Sequence, residues 1–237
     1  MRIALIGYGN MGKTIEKIAL SRGHEISLIY SLDDKPADWK ERLALSDVAI
    51  EFTAPDAAID HIMACFEAKT PVVVGTTGWY SRFDEVQKRC KEKNGGLFYA
   101  TNFSIGVNLF FELNKKLAQL MKSYPAYALE MEEIHHIHKK DAPSGTAITL
   151  AEGIMENNTS YSGWVNDSEA EAGKIPLISV REDEVPGTHS IRYTSAIDRI
   201  EIIHTAFNRQ GFAAGAVAAA EFLAGKKGIF NMTDLLK

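Results

Sequence analysis

Cysteine is scarce: the chain of 237 residues holds two, Cys65 and Cys90, too few for a disulfide framework and without metal-ligand spacing. Both fall in stretches with helical patterning, where a free thiol serves as a small core group and implies a reducing compartment. Also missing is any apolar run of membrane-spanning length, and the first residues enter a strand pattern instead of the charged head and apolar run of a secretory leader. A cytoplasmic protein without a membrane partner is expected, so the Asn-x-Ser/Thr triplets at Asn157, Asn158 and Asn231 carry no glycosylation meaning. Positive charge is not in excess either. With 26 Lys and Arg against 31 Asp and Glu, a net −5, the chain lacks the basic face that a nucleic-acid partner needs. Repeats and low-complexity tracts are absent, and 46% hydrophobic residues suffice for a sizeable core.

What is present is ordered alternation. Residues 2–6, 26–30, 48–53, 71–74 and 97–100 read as strands, with helices between them, including an apolar stripe of Ile59, Ile62, Met63 and Phe66 and a charged helix over 81–93. This pattern predicts a Rossmann-like α/β fold with a doubly wound parallel sheet over 1–104. A long helix over 106–123 then leads into strands at 127–134, 177–182, 189–195 and 199–206, the last three without helices between them. That predicts a second, α+β domain over 105–207 with a mixed or antiparallel sheet. An alanine-rich helix at 212–224 is expected to return to the first domain, so that 208–237 completes it through paired linkers near Ser104 and Asn208. Such linkers form a hinge. Residues 157–174 read as a polar surface loop, a connection by default and otherwise a lid.

The strand Arg2–Ile6 runs directly into Gly7-Tyr8-Gly9-Asn10-Met11-Gly12, a G-x-G-x-x-G turn followed by helical spacing. Gly7 permits the turn, Gly9 lets a pyrophosphate approach the backbone, and Gly12 lets helix and strand pack closely. A nicotinamide dinucleotide is therefore expected. Ser31 stands where an acidic residue would grip the adenosine ribose, so NADH and NADPH both remain open; Lys35 could assist a 2′-phosphate, and Asp33 or Asp34 could reach a hydroxyl. Two further strand ends, Gly75-Thr76-Thr77-Gly78 and Ala100-Thr101-Asn102-Phe103-Ser104, offer small and hydroxyl-bearing residues where open α/β sheets bind ligands. Phe103 could stack beside a ring there.

Residues 133–147 crowd His135, His136, His138, Lys139 and Lys140 ahead of a helix start at Ser144-Gly145-Thr146. Three readings fit. Zinc on the histidines would place ligands on alternating sides of an extended segment beside repelling lysines, and a solvated basic loop would need no partner. Alternatively, imidazole and ammonium groups donate protons to an anionic substrate, while the helix amides bind its carboxylate. This last reading, which needs no metal, is preferred.

These motifs resemble the 4-hydroxy-tetrahydrodipicolinate reductase (dihydrodipicolinate reductase) family. The resemblance rests on Gly7 to Gly12, Gly75 to Gly78, Asn102-Phe103-Ser104 with Gly106-Val107-Asn108, and above all residues 133–147. Segments around Val180-Arg181, Pro186-Gly187, His189, His204 and Phe212 add to it. It implies NAD(P)H-dependent reduction of a small cyclic dicarboxylate to tetrahydrodipicolinate in diaminopimelate and lysine biosynthesis, by a homotetramer joined through the second domain. By motif position it implies His135 as the catalytic acid/base, Lys139 as proton donor, His136 as a substrate contact and Gly145 with Thr146 as a carboxylate cradle. Gly7 to Gly12, Ser31, Gly75 to Thr77 and Ala100 to Phe103 would line the dinucleotide. Arg209 is a candidate for a substrate carboxylate or a hinge salt bridge, whereas Arg181, His189 and His204 read as structural groups of the sheet. The alternatives from other classes are a non-catalytic dinucleotide sensor and a reductase of another small imine acid.

Overall fold

A computed structural model describes residues 1–237 apart from Leu32, Ala170 and Arg209. The expectation for Arg209 thus lies outside the described residues. The chain forms two compact units, Met1–Ile105 with Gln210–Lys237, and Gly106–Arg209.

In the first unit, β1 (Arg2–Ile6), α1 (Asn10–Ser21), β2 (Glu25–Tyr30), α2 (Trp39–Ala44), β3 (Val48–Glu51), α3 (Pro55–Glu67), β4 (Val72–Val74), α4 (Phe83–Glu92) and β5 (Gly96–Tyr99) alternate as expected. The strands are short apolar runs because both faces of the sheet are covered. Ile3 and Leu5 of β1 join one core, with Val73, Phe98 and the buried Ala213, Ala216, Val217 and Ala220 of α7 (Gln210–Leu223). Ala4 and Ile6 join the other, with Val72, Val74, Ile62, Phe66, Cys65 and Cys90. Each large apolar side chain so buried contributes roughly 1.5–3 kcal/mol. Both cysteines are free.

One strand was not anticipated: β11 (Gly228–Phe230), which pairs parallel with β5 and precedes the short helix α8 (Met232–Leu235). Its three residues are too few to show periodicity. The sheet order is β11-β5-β4-β3-β1-β2, all parallel, with the order reversing at β1. A crevice opens at such a reversal, beyond the carboxyl ends of the strands.

The second unit holds α5 (Ile105–Met121, all but its first residue), β6 (Ala128–His135), α6 (Gly145–Asn157), β7 (Gly163–Val165), β8 (Lys174–Arg181), β9 (Thr188–Thr194) and β10 (Arg199–Thr205). Its sheet runs β10-β9-β6-β8-β7 and is mixed: β6 is antiparallel to β9 and parallel to β8. Part of the stretch 157–174 is a strand, correcting the reading as loop throughout: Trp164 packs on the core while β7 pairs with the start of β8. That pairing partner lies outside the local window a periodicity reading uses.

Strand β6 alternates strictly, with Leu129, Met131, Glu133 and His135 buried. Leu129 and Met131 pack with Leu150 and Ile154 of α6. Glu133 and His135 continue the same face, so period two carries a carboxylate and an imidazole inward at the strand's carboxyl end. The opposite face bears an ion-pair ladder in which Arg192 meets Glu130, Glu132 and Glu201 at 2.9, 2.8 and 2.5 Å.

Candidate active site

At the carboxyl ends of β1, β3 and β4 lies a cleft of about 360 Å³, lined by Gly9 to Gly12, Phe52, Thr53, Pro55 and Gly75 to Thr77. Its glycines have different causes. A Cβ on Gly7 would lie 1.9 Å from the Phe52 carbonyl oxygen, and one on Gly12 2.3 Å from that of Gly7, so these two are required by the protein's own backbone. A Cβ on Gly9 would meet nothing within 4 Å. Gly9 instead leaves open space at the N-terminus of α1, where unpaired amides and the helix dipole favour an anion. That fits a pyrophosphate. Gly75 is fixed by the Phe52 ring, 2.0 Å from where its Cβ would stand, and Thr76 is tied by accepting from the Thr53 amide at 2.7 Å.

Tyr8 donates from its hydroxyl to Glu16. Ser31 closes a turn with Asp34, its Oγ accepting from the Asp34 amide at 3.0 Å, while Asp33, Asp34 and Lys35 are exposed. Of the 100–103 group, Thr101 is exposed and Asn102 accepts from the Ser104 amide through its side chain at 2.8 Å, while Ala100 is a core residue. Phe103 corrects its expectation. It is 3% exposed and packs with Phe52 and Phe98, because the small Gly215 of α7 lets the Phe103 carbonyl approach. Its ring is core rather than a stacking surface, which leaves only its backbone for a ligand.

In the second unit the 133–147 segment closes around Glu133. Ser144 caps α6, its Oγ accepting from the Ala147 amide at 3.2 Å, and its own amide donates to the Glu133 carboxylate at 3.0 and 3.1 Å. Gly145 is exposed, a Cβ there would meet nothing within 4 Å, and no described residue takes the Gly145 or Thr146 amide. The helix start therefore faces outward with two open amides, an arrangement that favours an anion. Lys139 Nζ pairs with Asp141, and its backbone closes a turn by donating to the His136 carbonyl at 3.1 Å. His136 is half-buried, its ring 6.2 Å from that of the exposed His138.

His135 is 8% exposed. Its Nδ1 lies 3.4 Å from Glu133, and its Nε2 lies 3.1 Å from where a Cβ on Gly187 would stand. Gly187 thus leaves the far nitrogen uncovered by a side chain. Burial, opposed by Glu133 and reinforced by His189, Lys139 and Arg181, lowers the His135 pKa to about 4. Burial would raise that of Glu133, but hydrogen bonding from His189 and Ser144 outweighs it and holds the carboxyl at about 2. The site is therefore a fixed anion wrapped by donors, beside an imidazole that burial keeps neutral at ordinary pH.

Sequence reasoning set His189 and Arg181 aside as sheet groups, and the structure brings both to Glu133, at 3.7 and 3.5 Å. His204 sits opposite His189 on β10, stacked near Phe110, and does not join. The zinc reading fails on geometry. Glu133, His135 and His189 converge, but without His136 or His138 among the described residues, and the Arg181 guanidinium and Ser144 amide already occupy the carboxylate. It is an internal ion-pair network. The only sequence signal for it was Glu133 itself, an acid at an inward position of an alternating strand.

Comparison with known proteins agrees in both halves. Residues 1–103 match the family model described as dihydrodipicolinate reductase, N-terminus, and residues 106–236 its C-terminus counterpart. A 4-hydroxy-tetrahydrodipicolinate reductase of Christiangramia forsetii is 51% identical over 236 residues, covering 100% of this chain and 98% of that protein. One from Ralstonia pickettii is 37% identical, covering 84% and 77%. A solved structure of dipicolinate-bound dihydrodipicolinate reductase from Paenisporosarcina sp. TG-14 superposes with a TM-score of 0.77 at 26% identity, over 98% of this chain and 97% of that one. The chain belongs to the dihydrodipicolinate reductase family.

Proposed function

We infer that the protein is an NAD(P)H-dependent oxidoreductase that reduces 4-hydroxy-tetrahydrodipicolinate, by way of dihydrodipicolinate, to tetrahydrodipicolinate in diaminopimelate and lysine biosynthesis. The observation that carries this is the convergence of His135, Lys139 and the open α6 amides around one buried carboxylate. We assign the dinucleotide to 1–104 with 208–237, on Gly7 to Gly12, Ser31, Gly75 to Thr77 and Ala100 to Phe103, and the dicarboxylate to 105–207.

Bound reduced nicotinamide supplies a hydride to the substrate ring. The remaining work falls to this chain. The Gly145 and Thr146 amides hold one carboxylate, and Lys139 and His136 attract the other. Addition of hydride leaves an electron pair conjugated with the ring nitrogen, and a proton from His135 or Lys139 quenches it. A positioned acid is worth about 10²- to 10⁴-fold in rate. An arriving dianion also offsets the burial and neighbouring cations that keep His135 neutral, so substrate binding itself charges the acid.

We also place the protein in the cytoplasm as a homotetramer. Ile200 and Ile203 of the edge strand β10, with Ile197 and Phe207 beside it, are exposed apolar groups that need cover. Sedimentation at micromolar concentration reads the assembly.

The test of function is anaerobic turnover of freshly made substrate, following NADH and NADPH oxidation separately, with Lys139→Ala beside the wild type. Rapid oxidation lost in the variant supports the reading. A folded, dinucleotide-binding wild type that oxidises neither cofactor would sink it.

A further inference from the structure

We propose that Glu133 is the positioning residue of this site, with Arg181 and His189 as its partners: one buried carboxylate faces the His135 ring and holds the Lys139 loop and the first turn of α6 in a single geometry. The proposal rests on the reductase reading for its kinetic consequences and on the geometry around Glu133 for its electrostatic ones.

Glu133 is fully buried. A carboxylate there is costly unless paired, and an apolar residue of similar volume would commonly serve stability as well. Its connections explain why a charge is kept. Through the Ser144 amide it holds the start of α6, placing the Gly145 and Thr146 amides. Through Arg181 it reaches the loop: the guanidinium donates to the Lys139 carbonyl at 3.3 Å and to the Asp141 carbonyl at 2.6 Å while lying 3.5 Å from Glu133. His189 braces the third side, with Nε2 3.2 Å from Ser144 Oγ and its ring edge-on to His135 at 5.1 Å.

The charges facing His135 come from every neighbouring element: Glu133 from its own strand, Arg181 from β8, His189 from β9, and Lys139 with its counter-ion Asp141 from the loop. The Glu133 carboxylate lies 3.4 Å from Nδ1 without a hydrogen bond to it and acts on the ring through its charge, while Nε2 lies on the side that Gly187 keeps open. Glu133 favours the charged ring, and Arg181 disfavours it.

Opposite signs make the test. The His135 ring is titrated by NMR in the full chain, its signal assigned by loss in His135→Asn. In Glu133→Gln the ring should stay neutral to lower pH, by about one pH unit, and kcat at neutral pH should fall tenfold or more, with dinucleotide affinity unchanged. Glu133→Asp should recover part of the loss. In Arg181→Met the midpoint should move up, yet kcat should still fall because the Lys139 loop is released. Unchanged midpoints, or midpoints moving the same way in both variants, would overturn the proposal. Should Glu133→Gln not fold, Arg181→Met and Glu133→Asp decide it by the same signs. If the wild type oxidises neither cofactor, the reductase reading fails, while the NMR midpoints still judge the role of Glu133.

Discussion

Lys139 Nζ lies 2.8 Å from each carboxylate oxygen of Asp141, two residues further along the same loop. Asp141 is largely exposed, and the pair holds its carboxyl below the ordinary range. On the proposed function, a substrate carboxylate competes with Asp141 for the ammonium. Asp141→Asn should lower the substrate KM severalfold while changing stability by less than about 1 kcal/mol, as exposed ion pairs do. Steady-state kinetics and thermal melting read the two effects, and a raised KM would show that Asp141 aims the lysine instead of masking it.

Removing the ammonium has the opposite character. Lys139→Ala should cut kcat by about 10²- to 10⁴-fold, with dinucleotide affinity unchanged because the cleft at Gly9 lies in the other unit. Equal losses in turnover and cofactor affinity would contradict the role as proton donor.

Two glycines of one motif should fail differently. At Gly9 an added Cβ meets no protein atom, so Gly9→Ala should melt like the wild type yet lose at least about tenfold in dinucleotide affinity, about 1.4 kcal/mol. At Gly7, where φ is +97° and the Phe52 carbonyl blocks a Cβ, Gly7→Ala should cost about 1–3 kcal/mol of stability. Melting and fluorescence titration distinguish them, and a destabilised Gly9→Ala protein would remove the ligand explanation for that position.

Stability should fall in acid. His135 is depressed from 6.5 to about 4, so an unfolded chain takes up its proton first, and the native advantage of up to about 3 kcal/mol drains away as pH falls through that window. Glu133, depressed from 4.5 to about 2, adds a second loss in the same direction below pH 4.5. His135→Asn should flatten the melting temperature between pH 6.5 and 4, and an undiminished slope in that variant would assign the acid sensitivity elsewhere.

Because a dianion favours the charged ring, binding of a cyclic dicarboxylate at the proposed site should take up protons near neutral pH. Calorimetry in two buffers of different ionisation enthalpy measures this, and His135→Asn should abolish most of it. Uptake that survives the substitution would place the proton on another group.

The legibility of these features followed the reach of their causes. The turn at Gly7 to Gly12 and the α6 start at Ser144 depend on neighbours within a few residues, so spacing was enough to find them. The network at Glu133 depends on Arg181 and His189, 48 and 56 positions away, joined only once β6 has paired with β8 and β9. Singly, each looked like an ordinary strand residue. Phe103 failed for a related reason: its burial is set by Gly215, more than a hundred residues later, which nothing near position 103 discloses.

The edge strand β11 and the helix α7 come from the end of the chain, although they complete a sheet and core begun by its first residues. During synthesis, therefore, the first unit emerges early but stays unfinished, with one flank of β5 unpaired and the apolar face that α7 covers still bare. The second unit, a contiguous stretch, has all of its own residues sooner. Order of translation and order of completion are reversed, and the nascent first unit presents a sticky sheet for as long as the second takes to be made.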